Sequence, residues 1–264
     1  MFDLRQYKDN IAIITDRGIC VSYRELLDAQ EKLFNLFRER ELVLILCDNV
    51  LGSLIGYTCC MINRVVPILV DCNINRERLN NLLNLYRPNY VWMPRYLNLF
   101  NNTKAIYENW EYKLVPYTLD KKHNIYEELA LLLPTSGSTG SAKMVRLSYE
   151  NIRENAKSII QYLNIKSSDR AITSLPMCYT FGLSIINTHL YTGACILLTN
   201  KKVFDIKFWL FFNTYSGTSI SGVPYTYSIM KKMNIGNMNL PTLNTLTQAG
   251  GKLTKEECKY FVDF

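Results

Sequence analysis

The sequence has few of the residues that build metal sites. It contains only two histidines, His123 and His189, and none of its eight cysteines forms a Cys-x-x-Cys pair. Structural zinc needs four closely spaced Cys or His ligands, so the composition argues against zinc, and we assign no metal ligands. Most cysteines lie in apolar segments, where a reduced thiol acts as a small core residue. This usage predicts a cytoplasmic protein.

Long apolar runs and runs of like charge are also missing. The longest apolar stretch, residues 50–62, is shorter than the about 20 residues that span a bilayer, and it predicts a buried helix. The N-terminus lacks the apolar core of a signal peptide. The net charge is +7, but the basic residues are scattered. We therefore expect no membrane span and no nucleic-acid partner, although a basic surface suits an anionic ligand.

Short apolar runs alternate with amphipathic segments along the chain. Residues 42–47 form a continuous apolar run typical of a buried parallel strand, and residues 23–40 repeat apolar side chains at helical spacing. Asn49 is interpreted as the cap of the helix after that strand. Residues 95–127 are irregular and predict a connection or a subdomain edge. The alternation predicts an α/β fold of layered, mostly parallel sheets flanked by helices.

The remaining predicted elements follow the same pattern. The strands are predicted at residues 11–15, 19–22, 65–70, 90–93, 129–134, 144–147, 171–174, 194–199, 219–223 and 245–249. The helices are predicted at residues 76–86, 149–162, 181–191, 204–214, 225–233 and 254–264.

The loop between two of these strands carries the predicted chemistry. An apolar strand runs into small and hydroxyl residues that end in a lysine. Glycines let the backbone N–H groups approach an anion, hydroxyls add donors, and the lysine adds a positive charge. The predicted phosphate-binding residues are Thr135, Ser136, Gly137, Ser138, Thr139, Gly140 and Lys143. A flexible surface linker is the alternative interpretation, although linkers rarely separate two buried strands.

The spacing of this loop excludes a Walker A motif, because two residues separate Gly140 from Lys143. The loop instead resembles the signature of the adenylate-forming superfamily, which includes acyl-CoA synthetases, adenylation domains of nonribosomal peptide synthetases, and luciferase. That signature reads approximately Thr-Ser-Gly-Ser/Thr-Thr-Gly-x-Pro-Lys-Gly-Val, followed by His-x-Asn. The matches are residues 135–140, Lys143, Val145 and Asn151, and the departures are Ala142, Met144 and Tyr149. The departures leave the phosphate-binding groups in place.

Three further stretches resemble elements of the same family. Residues 175–183 resemble its Leu-Pro-x-x-His-x-x-Gly segment, residues 222–225 its Gly-Val-Pro element, and residues 247–253 its strand and Gly-Gly turn. The residues that the resemblance assigns are Tyr179, Phe181 and Tyr225 to the acid, and Gly250 and Gly251 to the adenine and acyl wall. Taken singly, each aromatic residue is also compatible with a core position, and each glycine with a simple turn.

The resemblance implies a two-step ligase reaction. The carboxylate of a small acid attacks the α-phosphorus of ATP, with Mg²⁺, to give an acyl-adenylate and pyrophosphate. The thiol of coenzyme A, or of the phosphopantetheine on an acyl carrier protein, then takes the acyl group. The identity of the acid is not readable from the sequence, because specificity depends on the shape of the pocket.

The family's later elements, including the Thr-Gly-Asp stretch and the C-terminal domain with its catalytic Lys, do not follow Leu253. We therefore interpret the chain as the incomplete large N-terminal domain of such a ligase, with the catalytic residue unassigned. The first predicted α/β subdomain covers residues 1–128. The second covers residues 129–264, bears the phosphate loop and is truncated. A non-catalytic nucleotide-binding or interaction protein with a truncated ligase fold is the alternative.

Overall fold

The computed structural model, which describes residues 2–100, 103–134 and 143–262, contains one mixed and one mostly parallel β-sheet, both flanked by helices. The strands are β1 Ile11–Thr15, β2 Cys20–Ser22, β3 Leu42–Cys47, β4 Val66–Asp71, β5 Tyr90–Pro94, β6 Tyr107–Asn109, β7 Tyr112–Pro116, β8 Leu129–Pro134, β9 Met144–Ser148, β10 Arg170–Ile172, β11 Cys195–Leu198, β12 Ser219–Gly222 and β13 Thr245–Gln248. The helices are α1 Tyr23–Phe34, α2 Leu51–Ile62, α3 Arg76–Tyr86, α4 Tyr149–Leu163, α5 Thr180–Thr192, α6 Ile206–Thr214, α7 Pro224–Lys232 and α8 Lys255–Val262.

The strand orders confirm the predicted α/β fold. The seven-stranded sheet has the order β6-β7-β5-β3-β4-β8-β9, and β3, β4, β5 and β8 run parallel. The six-stranded sheet has the order β13-β12-β10-β11-β1-β2, with only β2 antiparallel. All six residues of β3 are buried, as its apolar run predicts. Because parallel strands end at one edge of a sheet, the loops that follow them gather there.

Each sheet contains strands from both sides of residue 128. The first hairpin, β1 and β2, belongs to the six-stranded sheet, where Ile13 pairs with Ile196. The later hairpin, β8 and β9, extends the seven-stranded sheet, where Ile68 pairs with Leu132. The chain therefore does not pass from one sheet to the other at residue 128. The division into subdomains at residues 1–128 and 129–264 stays a prediction.

Two helices join the sheets into one core. Leu183 and Leu190 of α5 belong to the same buried cluster as Ile45 and Ile196, which lie in different sheets. The α2 helix is almost entirely buried, as predicted, and its Tyr57 hydroxyl donates to Asn187 Oδ1 of α5 at 2.6 Å. Within the described ranges, no helix combines the length and the apolar character needed to cross a bilayer.

The predicted end of the helix at residues 23–40 was wrong. Helix α1 ends at Phe34 rather than continuing to residue 40, because the chain turns there and buries Phe37 against the ring of Tyr90. Residues 95–127 contain the antiparallel strands β6 and β7, which extend the sheet beyond β5. Their two-residue turn has positive φ at Trp110 and Glu111. Glycine, asparagine or aspartate usually marks such a turn, so the usual sequence signal was missing.

Candidate functional site at the carboxyl edge of the sheets

A side chain from one sheet fixes the loop that follows β10 in the other. Asn49 Nδ2 donates to the Leu175 carbonyl at 3.0 Å, and Met177 N–H donates to Asn49 Oδ1 at 3.1 Å. The Asn49 N–H donates to Asn200 Oδ1 at 2.9 Å. The prediction that Asn49 caps α2 was wrong: the N-cap residue is Val50, whose side chain makes no capping hydrogen bond. Asn49 instead links the two sheets.

Gly182 allows α5 to approach this loop closely. A Cβ atom at this position would lie 2.2 Å from the Pro176 carbonyl oxygen and 3.0 Å from that of Leu175. Such contacts are far shorter than atoms tolerate, so the position requires glycine while the loop stays in place. This requirement gives a physical reason for the glycine in the Leu-Pro-x-x-aromatic-x-x-Gly stretch.

The three aromatic residues predicted to contact the acid lie in different environments. Tyr179 is the N-cap residue of α5 and is 45% exposed, while Tyr225, in the first turn of α7, is 73% exposed. Partial burial raises the pKa of Tyr179, and the nearby Cys178 and Asp71 add to the effect, which keeps its hydroxyl neutral. Phe181 lines a cavity together with residues of β13.

The Gly-Gly turn and the Gly-Val-Pro element contact each other. Gly250 has φ +83°, in the left-handed region, and a Cβ there would lie 3.3 Å from Val223 Cγ1. A Cβ at Gly251 would lie 3.0 Å from Pro224 Cγ. Gln248 Nε2 donates to the Gly251 carbonyl at 2.9 Å and holds the turn. The structure therefore brings Gly250 and Gly251 beside the N-terminus of α7.

A cavity of 400 Å³, called the α5 cavity below, lies between α5 and the strands β12 and β13. The α5 residues that line it are Phe181, Ser184, Ile185, Thr188 and His189. Their spacing of three, one, three and one places them on one helical face. Ser221 and Thr247 line the strand side, and their hydroxyl oxygens are 2.7 Å apart. The cavity therefore combines an apolar wall with hydroxyl groups.

A second cavity of 930 Å³, called the basic groove below, lies beside the edge strand β9. Lys121, Lys143 and Arg146 line it, with His123 among them, and its described lining residues include no Asp or Glu. This charge suits phosphate oxygens. Lys143 and Phe181 therefore line two different cavities. The other predicted phosphate-binding residues, 135–140, lie outside the described residues.

The asparagine that matches the family signature caps a helix at this groove. Ser148 Oγ accepts from the Asn151 N–H at 3.0 Å, and Asn151 Oδ1 accepts from the Ser148 N–H at 3.1 Å. This reciprocal pair satisfies backbone donors at the start of α4. Asn151 therefore has a structural role in the described chain.

Sequence reasoning missed several residues of these cavities. Arg146 and Lys121 were passed over because scattered charges give no local pattern. His189 was also missed, although its position eight residues after Phe181 places it on the same helical face and was a usable signal. The bridging role of Asn49 had no local signal, because its partners lie more than 120 residues away.

Comparison with known proteins identifies related chains. A family model described as "AMP-binding enzyme" matches residues 3–263. The D-alanine--D-alanyl carrier protein ligase of Staphylococcus haemolyticus is 22% identical over 250 residues, which cover 92% of this chain and 51% of that protein. The 2-succinylbenzoate--CoA ligase of Staphylococcus epidermidis is 24% identical over 260 residues, which cover 94% and 52%. The chain thus spans about half the length of these two relatives.

A solved structure shows the same fold. The chain superposes on the O-succinylbenzoate coenzyme A synthetase of Bacillus subtilis, in complex with AMP, with a TM-score of 0.81 and 18% identity. The superposition covers 98% of this chain and 56% of that one. At this identity the likeness shows the fold alone.

Proposed function

The chain belongs to the AMP-binding enzyme family, and we propose that it supplies the nucleotide- and acid-binding part of a ligase that activates a carboxylic acid with ATP. The meeting of three family stretches at the carboxyl edge of the six-stranded sheet supports this most strongly. The turn at Gly250 packs on Val223. The loop after β10 joins β12 through the Ser174 hydroxyl, which donates to the Ser221 carbonyl. In α/β proteins, ligands bind at such edges.

The proposed reaction has two steps. A carboxylate oxygen of the acid bonds to the α-phosphorus of ATP, the bond from that phosphorus to the bridging oxygen breaks, and pyrophosphate leaves with the electron pair. A thiolate sulfur then bonds to the acyl carbon, and AMP leaves with its oxygen. No enzyme nucleophile takes part, so the protein contributes orientation and neutralisation of phosphate charge. Bound Mg²⁺ would add further neutralisation of phosphate charge.

The chain's own residues have distinct roles in this proposal. Lys143, together with Arg146 and Lys121, would hold the β- and γ-phosphates, because the basic groove offers positive charge without competing carboxylates among its described lining residues. The loop residues assigned to the same phosphates are Thr135, Ser136, Gly137, Ser138, Thr139 and Gly140. The residues assigned to the acid and the adenine wall are Tyr179, Phe181, Tyr225, Gly250 and Gly251.

Both possible thiol acceptors stay within the proposal. One relative is named as a carrier protein ligase and the other as a CoA ligase. The acyl group would therefore pass to coenzyme A or to the phosphopantetheine of an acyl carrier protein. All eight cysteines are free, and six of them are buried. This thiol usage supports a cytoplasmic location.

Acid-dependent ATP–pyrophosphate exchange on the full-length gene product tests the function. We expect one or more acids of a panel to support exchange, and Lys143→Ala to slow it about 10- to 100-fold. Lys157→Ala is the matched control, because Lys157 is exposed on α4 and pairs with Glu154 at 3.0 Å. An unchanged rate in Lys143→Ala would contradict the assignment of that residue. ATP binding without exchange for any acid would favour the non-catalytic alternative.

A further inference from the structure

Four hydroxyl side chains, called the hydroxyl patch below, lie on one face of the sheet at β12 and β13. Ser219 pairs in register with Thr245, and Ser221 pairs with Thr247. Residues two apart on a strand point to the same side, so the four side chains share one face. All four residues line the α5 cavity. Ile220, between the two serines, points to the opposite face and belongs to the buried cluster that contains the apolar side chains of α6.

The same face of the sheet is apolar where α5 packs directly on it. Ala171 of β10 pairs in register with both Ile196 and Ser219, so these three side chains share the face. Ile196 is fully buried in the cluster that includes Leu183 and Leu190 of α5. Parallel strands that are covered by helices are usually apolar on both faces. The change from apolar to hydroxyl side chains therefore coincides with the cavity.

The hydroxyl patch keeps hydrogen-bonding capacity toward the cavity. The Ser221 and Thr247 oxygens are 2.7 Å apart, so one of their two protons is used between them, and the other has no partner among the described residues. The hydroxyl of Ser219, which is half-buried, also pairs with no described residue, and its oxygen is not among the enclosed atoms that lack a partner. This oxygen is therefore both unpaired and accessible. Thr245 differs, because its hydroxyl donates to Asn244 Oδ1 at 2.8 Å.

The opposite wall of the cavity, formed by α4 and α5, is largely apolar. Ile159 and Leu163 of α4 and Phe181 and Ile185 of α5 line it. Asp169 is the single charged residue in the described lining, and its carboxylate repels other anions. The molecule that matches both walls has an apolar side and a side with uncharged polar atoms.

We propose that the acid bound by this chain carries uncharged oxygen, as a hydroxyl or carbonyl group, on the side of its body that faces the hydroxyl patch. Ser219 and the pair of Ser221 and Thr247 donate hydrogen bonds to that oxygen. The proposal rests on the proposed function, because it takes the α5 cavity as the acid site. A plain hydrocarbon body would cover these donors without pairing them, which weakens binding.

The two donor positions lie at different depths. Ser221 precedes Gly222, where β12 ends at the carboxyl edge of the sheet. Ser219 lies two residues earlier, which places it about 6.6 Å further from that edge. An acid whose carboxyl group is held at the edge therefore meets the pair of Ser221 and Thr247 first, and only a longer acid reaches Ser219. Ligands of two lengths address the two positions separately.

Calorimetry on the full-length gene product tests the proposal without requiring turnover. The short ligand pair is para-hydroxybenzoate and para-methylbenzoate, and the long pair is ω-hydroxydecanoate and undecanoate. Within each pair a hydroxyl group replaces a methyl group of similar size. We expect each hydroxy acid to bind about tenfold more tightly than its methyl partner, because the methyl group leaves a donor unpaired. Decanedioate should bind more weakly than ω-hydroxydecanoate, because its second carboxylate is repelled by Asp169.

Two variants separate the donor positions. Ser221→Ala combined with Thr247→Val removes the upper pair, since either hydroxyl alone would still carry an unused proton. It should bring the affinity ratio of the short ligands close to one and leave that of the long ligands unchanged, whereas Ser219→Ala should do the reverse. Thr247→Ser keeps the hydroxyl, and Ser158→Ala changes an exposed serine of α4, so both controls should preserve both ratios. If the double variant does not fold, the long ligands and Ser219→Ala still decide.

Several results would overturn the proposal. Equal affinities within both ligand pairs would mean that bound water satisfies the donors as well as the acid does. Ratios that stay unaltered in both variants, tighter binding of decanedioate, or no binding of any of these acids would also contradict it. If exchange proceeds with other acids while none of these binds, this proposal fails and the ligase function stands. If the hydroxy acids bind as expected and no acid supports exchange, the ligase function alone fails.

Discussion

The two cavities each contain one of the chain's two histidines, and the two rings lie in opposite settings. His123 is half-buried in the basic groove, which Lys121 and Lys143 also line, and its Nε2 lies 3.1 Å from the Arg87 carbonyl oxygen. His189 is buried on the face of α5 that lines the α5 cavity, and none of the described residues pairs with its Nε2. The basic groove is lined by positively charged side chains, whereas the α5 cavity has a single charged residue, Asp169, in its described lining and is less than half as large.

This contrast indicates how one fold can handle two chemically different ligands. Phosphate groups bind positively charged side chains, and exposed lysine and arginine side chains lie at the edge strand β9. The body of an organic acid needs a shaped apolar wall, which the packing of α5 against β12 and β13 provides. The following predictions test whether the two regions are separate, starting with the largest expected effect.

Gly182→Ala should damage the α5 cavity and lower the stability of the protein. The added Cβ would lie 2.2 Å from the Pro176 carbonyl oxygen, so α5 or its loop must move, and we expect a loss of about 3 kcal/mol in the free energy of unfolding. Urea denaturation measures this loss. Gly251→Ala is the control, since its Cβ meets only the edge of the Pro224 ring, and should cost less than about 1 kcal/mol. Similar losses for both variants would contradict the close approach at Gly182.

Asn49→Asp should separate a bridging role from a capping role. Aspartate caps helices as well as asparagine does, so a cap would tolerate the change. The bridge would not, because the carboxylate cannot donate to the Leu175 carbonyl, and the expected loss is about 2 kcal/mol in the free energy of unfolding. Asn75→Asp is the matched control, because the Asn75 side chain accepts from Arg78 N–H as a true cap of α3. If the Asn49→Asp variant is as stable as the wild type, the hydrogen bonds of Asn49 between the sheets do not stabilise the fold, and the prediction is wrong.

Arg146→Glu should weaken ATP binding and leave the α5 cavity intact. Reversing one charge in the basic groove should raise the Kd for ATP about tenfold at low salt, and the effect should shrink as salt screens it. Calorimetry at two salt concentrations measures both quantities. Arg153→Glu, on the exposed face of α4, is the control. An Arg146 variant with unchanged ATP affinity would mean that phosphates bind elsewhere.

A fall in pH from 7.5 to 5.5 should destabilise the protein through His189. Burial lowers its folded pKa below the ordinary value of about 6.5, so below that pH the unfolded chain binds a proton that the folded chain excludes. Stability is therefore lost as the pH falls through 6.5. Between pH 7.5 and 5.5, His189→Gln should remove up to about 1.4 kcal/mol of this loss, as measured by urea denaturation. His123→Gln should remove less, because its ring is only partly buried. If His123→Gln removes more of this loss than His189→Gln does, the assigned burial of the two rings is wrong.

Sequence patterns predicted most of the fold because its parallel strands are continuous apolar runs and its helices are amphipathic. The predicted helix at residues 76–86 matches α3. The β6 and β7 hairpin was missed because its turn at Trp110 and Glu111 lacks the usual turn residues. In the candidate site, glycine positions were predictable from motif resemblance. The bridging role of Asn49 was not, since it depends on hydrogen bonds to residues more than 120 positions away in the chain.

Paired affinity measurements on two variants test the separation of the regions most directly. The binding of ATP and of an acid that supports pyrophosphate exchange would be measured for the wild type, Lys143→Ala and Phe181→Ala. We expect Lys143→Ala to weaken ATP binding about tenfold and to leave acid binding unchanged, because Lys143 lines the basic groove. We expect Phe181→Ala to weaken acid binding and to leave ATP binding unchanged, because Phe181 lines the α5 cavity. If both ligands weaken together in either folded variant, or ATP binding is unaffected by Lys143→Ala, the account of two separate binding regions is wrong.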